Sequence, residues 1–127
     1  MAPMSSSTCR CVAIIAWLSL LAACSPSNVS FSADVQPVLK KYCLECHVPG
    51  GAGYIASAFD MSSYETFMKG GKYGAFVIPG DPLTSALNML VEGRANPSIR
   101  MPHGREKLSD REIEILRVWV QEGAKNN

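Results

Sequence analysis

Two cysteines followed directly by a histidine place the strongest constraint on this 127-residue chain, in the run Cys43-Leu44-Glu45-Cys46-His47. On a helical turn, residues three apart share a face, so both sulfurs can reach one edge of a flat ligand. The histidine that follows can turn its imidazole beneath that ligand and bind iron. This spacing is typical of covalent c-type haem attachment. Because the imidazole must be neutral, we expect its second nitrogen to pair with a nearby carbonyl, for which Pro49 is the candidate.

Three other uses of the cysteine pair are weaker. A disulfide between Cys43 and Cys46 would close a very small loop and would leave His47 without a role. A redox pair of the thioredoxin type needs a βαβ setting, and the sequence has no alternating strand pattern of useful length. A zinc site needs a fourth ligand and usually a second Cys or His pair, and only His103 is available. The sequence therefore predicts one covalently attached haem c.

Residues 1–23 are predicted to be a lipoprotein signal peptide and not part of the fold. The run Cys11–Ala23 carries no charge, and its thirteen residues are fewer than the ~20 that a spanning helix needs. The end of this run and the next residue form Leu21-Ala22-Ala23-Cys24, which resembles the lipobox of bacterial lipoproteins. In a lipobox the cysteine is lipidated and becomes the new N-terminus. The alternative is ordinary cleavage after Ala23, which Leu21 fits badly because that route favours small residues.

Removing residues 1–23 from the chain leaves 104 residues. We expect 24–30 to be a lipid-anchored tether that reaches at most about 20 Å, and 31–127 to be one mono-haem domain. The predicted location is the periplasmic side of a bacterial membrane, which agrees with haem attachment outside the cytoplasm. Hydrophobic residues at 47% and charged residues at 18% describe a globular chain, and a net charge of +1 gives no reason to expect nucleic acid.

The remaining sequence predicts an all-α domain of about four short helices around the haem. The first helix is expected from Val35 to Leu44, with Asp34 as its N-cap and Pro37 in its first turn. The other helix boundaries follow from capping boxes, an Asp-Pro start and closing glycines; these signals are Ser62-x-x-Glu65 to Gly70, Asp81-Pro82 to Gly93, and Ser109-x-x-Glu112 to Gly123. Long loops at 48–61 and 94–107 connect the helices.

The second axial ligand of the iron has to come from elsewhere in the chain. Met68 and Met89 lie on amphipathic helices, where a role in the core accounts for them. Met61 borders a capping box and can pack against its helix. Met101 lies in the second long loop, where no helical pattern requires an apolar residue, and we predict it to be the axial thioether. His103 is the rival ligand, since an imidazole could also bind iron, but we expect it to be a solvated loop histidine.

From Phe31 to Ala124 the chain resembles the planctomycete-type cytochrome c domain, a relative of the class I c-type cytochromes. Six short segments in order carry the resemblance: Phe31–Leu39, Cys43–His47, Lys69–Gly71, Ile78–Pro82 with Ser85, Met101–Pro102, and Leu108 through Trp119 to Ala124. The resemblance implies His47 and Met101 as axial ligands, and first and last helices that pack across each other. The family usually has a second proline where His103 stands here.

The function that these features favour is single-electron transfer. A haem with two protein ligands has no open iron position for a substrate, so we predict a membrane-tethered electron carrier between redox partner proteins, not an enzyme. One alternative is a haem subunit of a specific periplasmic oxidoreductase. A less favoured one is a haem peroxidase or sensor, for which His103 is the only acid–base histidine available. Among Arg94, Arg100 and Arg105, which flank the Met101 loop, one could pair with a haem propionate.

Overall fold

The computed structural model describes residues 26–127, so the predicted signal peptide and Cys24 lie outside the described residues. The helices are α1 (Gln36–Tyr42), α2 (Ala52–Ser57), α3 (Tyr64–Lys69), α4 (Ala86–Val91) and α5 (Asp110–Gln121). Within 26–127 there is no strand, only an isolated bridge between Gly71 and Gly74. The predicted all-α class is confirmed. None of the helices in this range has the length and hydrophobicity needed to cross a bilayer.

The first helix begins earlier than the sequence predicted, because a wide π turn over Phe31–Val35 runs directly into α1. Ser30 is the N-cap, its side chain accepting from the Ala33 N–H. The prediction of Asp34 as N-cap was wrong: its carboxylate reaches back and accepts from the Ser30 N–H at 2.8 Å. Pro37 lacks an N–H and its ring crowds the carbonyl one turn earlier, so a wider turn accommodates it.

The boundaries of α3 shift by one residue from the prediction at its start and agree with it at its end. Ser63 caps the helix instead of Ser62, and Thr66 completes the capping box instead of Glu65. Two adjacent serines can both act as caps, so sequence spacing alone does not choose between them. The helix ends at Gly70 as predicted, at a φ of 80°.

The start of α4 also differs, because the expected cap residue forms a turn of its own. The Asp81 carboxylate accepts from the Leu83 and Thr84 N–H groups at 3.0 and 3.1 Å, and Leu83 is 73% exposed. The helix therefore begins at Ala86, four residues later than Pro82, the first helical residue that the Asp-Pro signal indicated. The last helix needs no such correction, since Ser109 and Glu112 form the predicted capping box of α5.

An aromatic stack of Phe59, Phe67 and Trp119 forms the centre of the core. The ring centroids of Phe59 and Phe67 are 5.5 Å apart, and those of Phe67 and Trp119 are 5.8 Å apart. Phe31 lies 5.5 Å from Trp119 and joins the first helical segment to α5. At the other end of the stack, the His47 imidazole meets Phe59 edge-on at 5.7 Å. The core thus continues without a break from α5 to the candidate site.

The carboxylate of Glu112 ties the end of α1 to the start of α5. It accepts from Lys41 Nζ and from the Tyr42 hydroxyl, each at 2.9 Å, and it also closes the capping box with Ser109. Burial alone would raise the pKa of Glu112, but the hydrogen bonds from Lys41, Ser109 and Tyr42 outweigh it and hold this pKa at about 2.

We expect this carboxylate to make the stability of the domain depend on acid pH. A depressed pKa contributes stability that is present above about 4.5, its ordinary value, and is lost as the pH falls towards 2. Glu112→Gln should lower the free energy of unfolding by about 1–2 kcal/mol at neutral pH and flatten its dependence between those two pH values. Denaturant unfolding at several pH values measures both effects.

Glu114→Gln is the matched control, because Glu114 pairs with Arg117 three residues away on the same helix. Its effect should stay within about 0.5 kcal/mol. Equal losses in the two variants would contradict the bridging role of Glu112.

Candidate haem site

The segment Cys43–His47 continues α1 by one further turn. The Cys43 N–H donates to the Leu39 carbonyl at 2.8 Å, and the His47 N–H donates to the Cys43 carbonyl at 2.9 Å. This turn carries both sulfurs, as the sequence predicted. Both thiols are half-buried and not bonded to each other.

The imidazole of His47 is buried and fixed at one nitrogen. Its Nδ1 lies 3.3 Å from the Phe59 carbonyl oxygen, which can only accept, so Nδ1 carries the proton and donates. Burial lowers the pKa of His47, with an opposing contribution from this hydrogen bond. At neutral pH the ring is therefore neutral, and the lone pair lies on Nε2, which has no hydrogen-bond partner among residues 26–127. A neutral imidazole nitrogen with a free lone pair can bind a metal ion.

The acceptor is Phe59 and not Pro49, so that prediction was wrong. The chain after His47 folds back over it through α2. The sequence pattern did not predict this helix, because it buries no residue and has no apolar stripe. The Tyr54 N–H donates to the Cys46 carbonyl at 2.9 Å, and the Met61 N–H donates to the His47 carbonyl at 2.8 Å. These bonds bring Phe59 to the imidazole.

Gly53 on α2 lies so close to the imidazole that no side chain fits there. A β-carbon at this position would lie 2.7 Å from His47 Cε1 and 2.8 Å from its Nε2. Such distances are well below ordinary van der Waals contact. Gly53 thus keeps space at the Nε2 edge of the ring, and only the glycine-rich composition of the loop indicated it.

Gly53→Ala should displace the imidazole and reduce the fraction of purified protein that carries haem. Alanine has a helix propensity about 1 kcal/mol better than glycine, so a loss cannot be assigned to a weakened helix. Haem per protein, from absorbance against amino-acid analysis, measures the effect. Ala56→Gly on the same helix, at an exposed position, is the control. Full haem content in Gly53→Ala would contradict a role in shaping this site.

The geometry disfavours the other uses of the cysteine pair. Burial raises the pKa of the Cys43 thiol to about 12 despite the nearby Arg105 guanidinium, whereas a redox-active cysteine needs a lowered pKa. Residues 26–127 contain no group of three or more His, Cys, Asp or Glu side chains that could hold a metal ion. Two unbonded thiols beside a neutral imidazole do fit a covalently attached haem.

Apolar side chains around the turn are also consistent with a flat apolar group. Cys43, Leu44 and Met101 pack against the core yet remain only partly buried. The Met101 N–H donates to the Leu90 carbonyl of α4 at 3.3 Å, which positions its loop against that helix. His103 is exposed. Of the remaining methionines, Met61 is buried beside the backbone of His47, while Met68 and Met89 lie on α3 and α4.

The three arginines around this loop differ in their partners. Arg94 pairs with Glu92 and donates to the Leu83 carbonyl, and Arg105 pairs with Glu45, between the two cysteines, at 2.7 Å. The Arg105 pair joins the Met101 loop to the cysteine turn. Arg100 is different, because its Nε is buried and has no hydrogen-bond partner in the described part of the chain.

These features define a helical domain built around a Cys-x-x-Cys-His turn, as in c-type cytochromes. Residues 43–103, from the first cysteine of the pair to His103, match the family model described as Planctomycete cytochrome C. This match supports a planctomycete-type cytochrome c domain, as the resemblance indicated, and such a domain implies haem c. No curated protein and no solved structure matches the chain.

Proposed function

We propose that this protein is a mono-haem electron carrier, tethered through a lipid on Cys24 to the periplasmic side of a bacterial membrane. The cytochrome c domain supports haem binding and electron transfer, and cytochrome c domains are typically extracytoplasmic. One observation carries the proposal: the neutral, buried His47 has its Nε2 lone pair available on the turn that holds both thiols. When bound, haem supplies a reversible one-electron couple at its iron.

The residues of the chain have separate roles in this proposal. Cys43 and Cys46 would hold the haem through thioethers, and His47, oriented by the Phe59 carbonyl, would bind its iron. Met101, on a loop joined to the cysteine turn by the Arg105–Glu45 pair, would be the second protein ligand of the iron. With both residues bound, the iron would have no open position for a substrate, which favours electron transfer over catalysis.

Covalent attachment is tested with the intact protein produced in a host that attaches c-type haem. The wild type should keep its haem on a denaturing gel and show the absorption spectrum of a c-type cytochrome. Cys46→Ala removes one thioether, so gel-retained haem should fall strongly. Cys24→Ser, which leaves the turn intact, should retain haem fully. A colourless wild-type protein would refute the proposed function.

The proposed binding of the iron by Met101 is tested separately. Met101→Ala should give a high-spin or ligand-exchanged iron and a lower reduction potential, because a thioether ligand favours the reduced state. Absorption spectra and redox titration measure both changes. His103→Ala should leave the spectrum and the potential unchanged. If the two variants behave in the opposite way, His103 is the ligand.

The unpaired Nε of Arg100 suggests that this residue donates to a haem propionate, since guanidinium and carboxylate groups match in shape and charge. Arg100→Gln should then lower the reduction potential and raise the pKa of the propionate, which shows as a changed pH dependence of the potential. Arg94→Gln is the control, because Arg94 is already paired with Glu92. Equal potentials in the wild type and Arg100→Gln would rule out this contact.

A further inference from the structure

The first helical segment and α5 run in opposite directions, which gives the domain two distinct poles. At one pole, the Asn28 and Val29 N–H groups donate to the two carboxylate oxygens of Glu122, each at 2.8 Å. At the other, Tyr42 donates to Glu112 at 2.9 Å. We name the first the tether pole, defined by Asn28, Val29 and Glu122, and the second the haem pole, defined by Tyr42–His47 and Glu112.

The two poles are far apart on the scale of this domain. Phe31–Tyr42 comprises twelve residues, and α5 comprises twelve more. At about 1.5 Å per residue, each spans about 18 Å. The cysteine turn follows Tyr42 directly, so it lies at the end of this length that is remote from Asn28.

The tether pole is fixed to the domain by several hydrogen bonds. Glu122 holds Asn28 and Val29, and the Phe31 N–H donates to the Asn127 side chain at 2.8 Å. The backbone from Asn28 onward is therefore part of the domain. A chain of four residues, the separation between Cys24 and Asn28, spans at most about 14 Å when fully extended. This is less than the separation of the two poles.

We propose that the lipid anchor and the haem lie at opposite poles, so that the haem exchanges electrons with a protein approaching from the aqueous side. A quinol dissolved in the bilayer is excluded from close approach. This inference rests on the proposed lipid anchor. In each exchange the partner protein, which carries its own one-electron redox group, loses one electron and the haem iron gains it, or the reverse. The hydrogen bonds to Glu122, which we call the Glu122 clamp, keep the tether too short for the domain to turn its haem pole towards the lipid.

The test uses the lipidated holoprotein in phospholipid vesicles, with two electron donors compared in separate reactions. One is a long-chain quinol confined to the bilayer, and the other is a reduced soluble one-electron redox protein. The native protein should be reduced rapidly by the soluble protein and slowly by the quinol. Inserting twelve Gly and Ser residues between Ser25 and Pro26 should accelerate reduction by the quinol at least tenfold and leave the soluble reaction unchanged. Stopped-flow haem absorbance measures both rates.

A smaller change in the clamp gives a graded version of the same test. Glu122→Ala releases Asn28 and Val29. The rate at which quinol reduces this variant should therefore lie between the rates for the native and the lengthened protein. Gln121→Ala, at the neighbouring exposed position, should match the native protein. If Glu122→Ala does not fold, the insertion, which leaves the clamp residues intact, still decides the question.

Two outcomes overturn the inference in distinguishable ways. Fast reduction of the native protein by quinol, with no acceleration from the longer tether, would show that the haem faces the membrane. This outcome would leave the proposed lipid anchor unaffected. Failure of the native protein to float with vesicles, or flotation of Cys24→Ser equal to it, would refute the lipid anchor itself and with it this inference. Haem content and spectrum remain a separate readout of the cytochrome function.

Discussion

The hydrogen bond between His47 and the Phe59 carbonyl requires the chain between them to fold back on itself. This fold-back forms α2, brings Gly53 against the imidazole and adds Phe59 to the aromatic stack. It also fixes the protonation of the ring, because the donor at Nδ1 leaves the lone pair on Nε2. Phe59 thus belongs to both the candidate site and the core, and it joins the two.

The parts of the site that the sequence revealed are those whose chemistry is local. The two cysteines and His47 occupy one turn, so their spacing alone indicated their use. The capping box of α5 was equally readable, because Ser109 and Glu112 satisfy each other within four residues. Local signals failed where a neighbouring residue took the same part, as with Ser62 and Ser63. They also failed where Asp34 and Asp81 accepted hydrogen bonds other than those of the expected cap.

What the sequence did not reveal depends on contacts between distant segments. Phe59 is twelve residues from His47, and nothing in the intervening composition marks its carbonyl as the acceptor. The need for glycine at position 53 appears only once α2 lies against the imidazole. The partner of Arg105 likewise follows from tertiary structure, since Glu45 is sixty residues away. Pattern and spacing contain no information about such distances.

The aromatic stack gives the domain an internal optical reporter. Trp119 is the only tryptophan in residues 26–127, and it lies in ring contact with Phe67, which stacks on Phe59 beside His47. In the folded holoprotein, its fluorescence is expected to be quenched by energy transfer to the porphyrin. Emission from one indole would therefore rise as the core separates, and would follow unfolding independently of the colour of the iron.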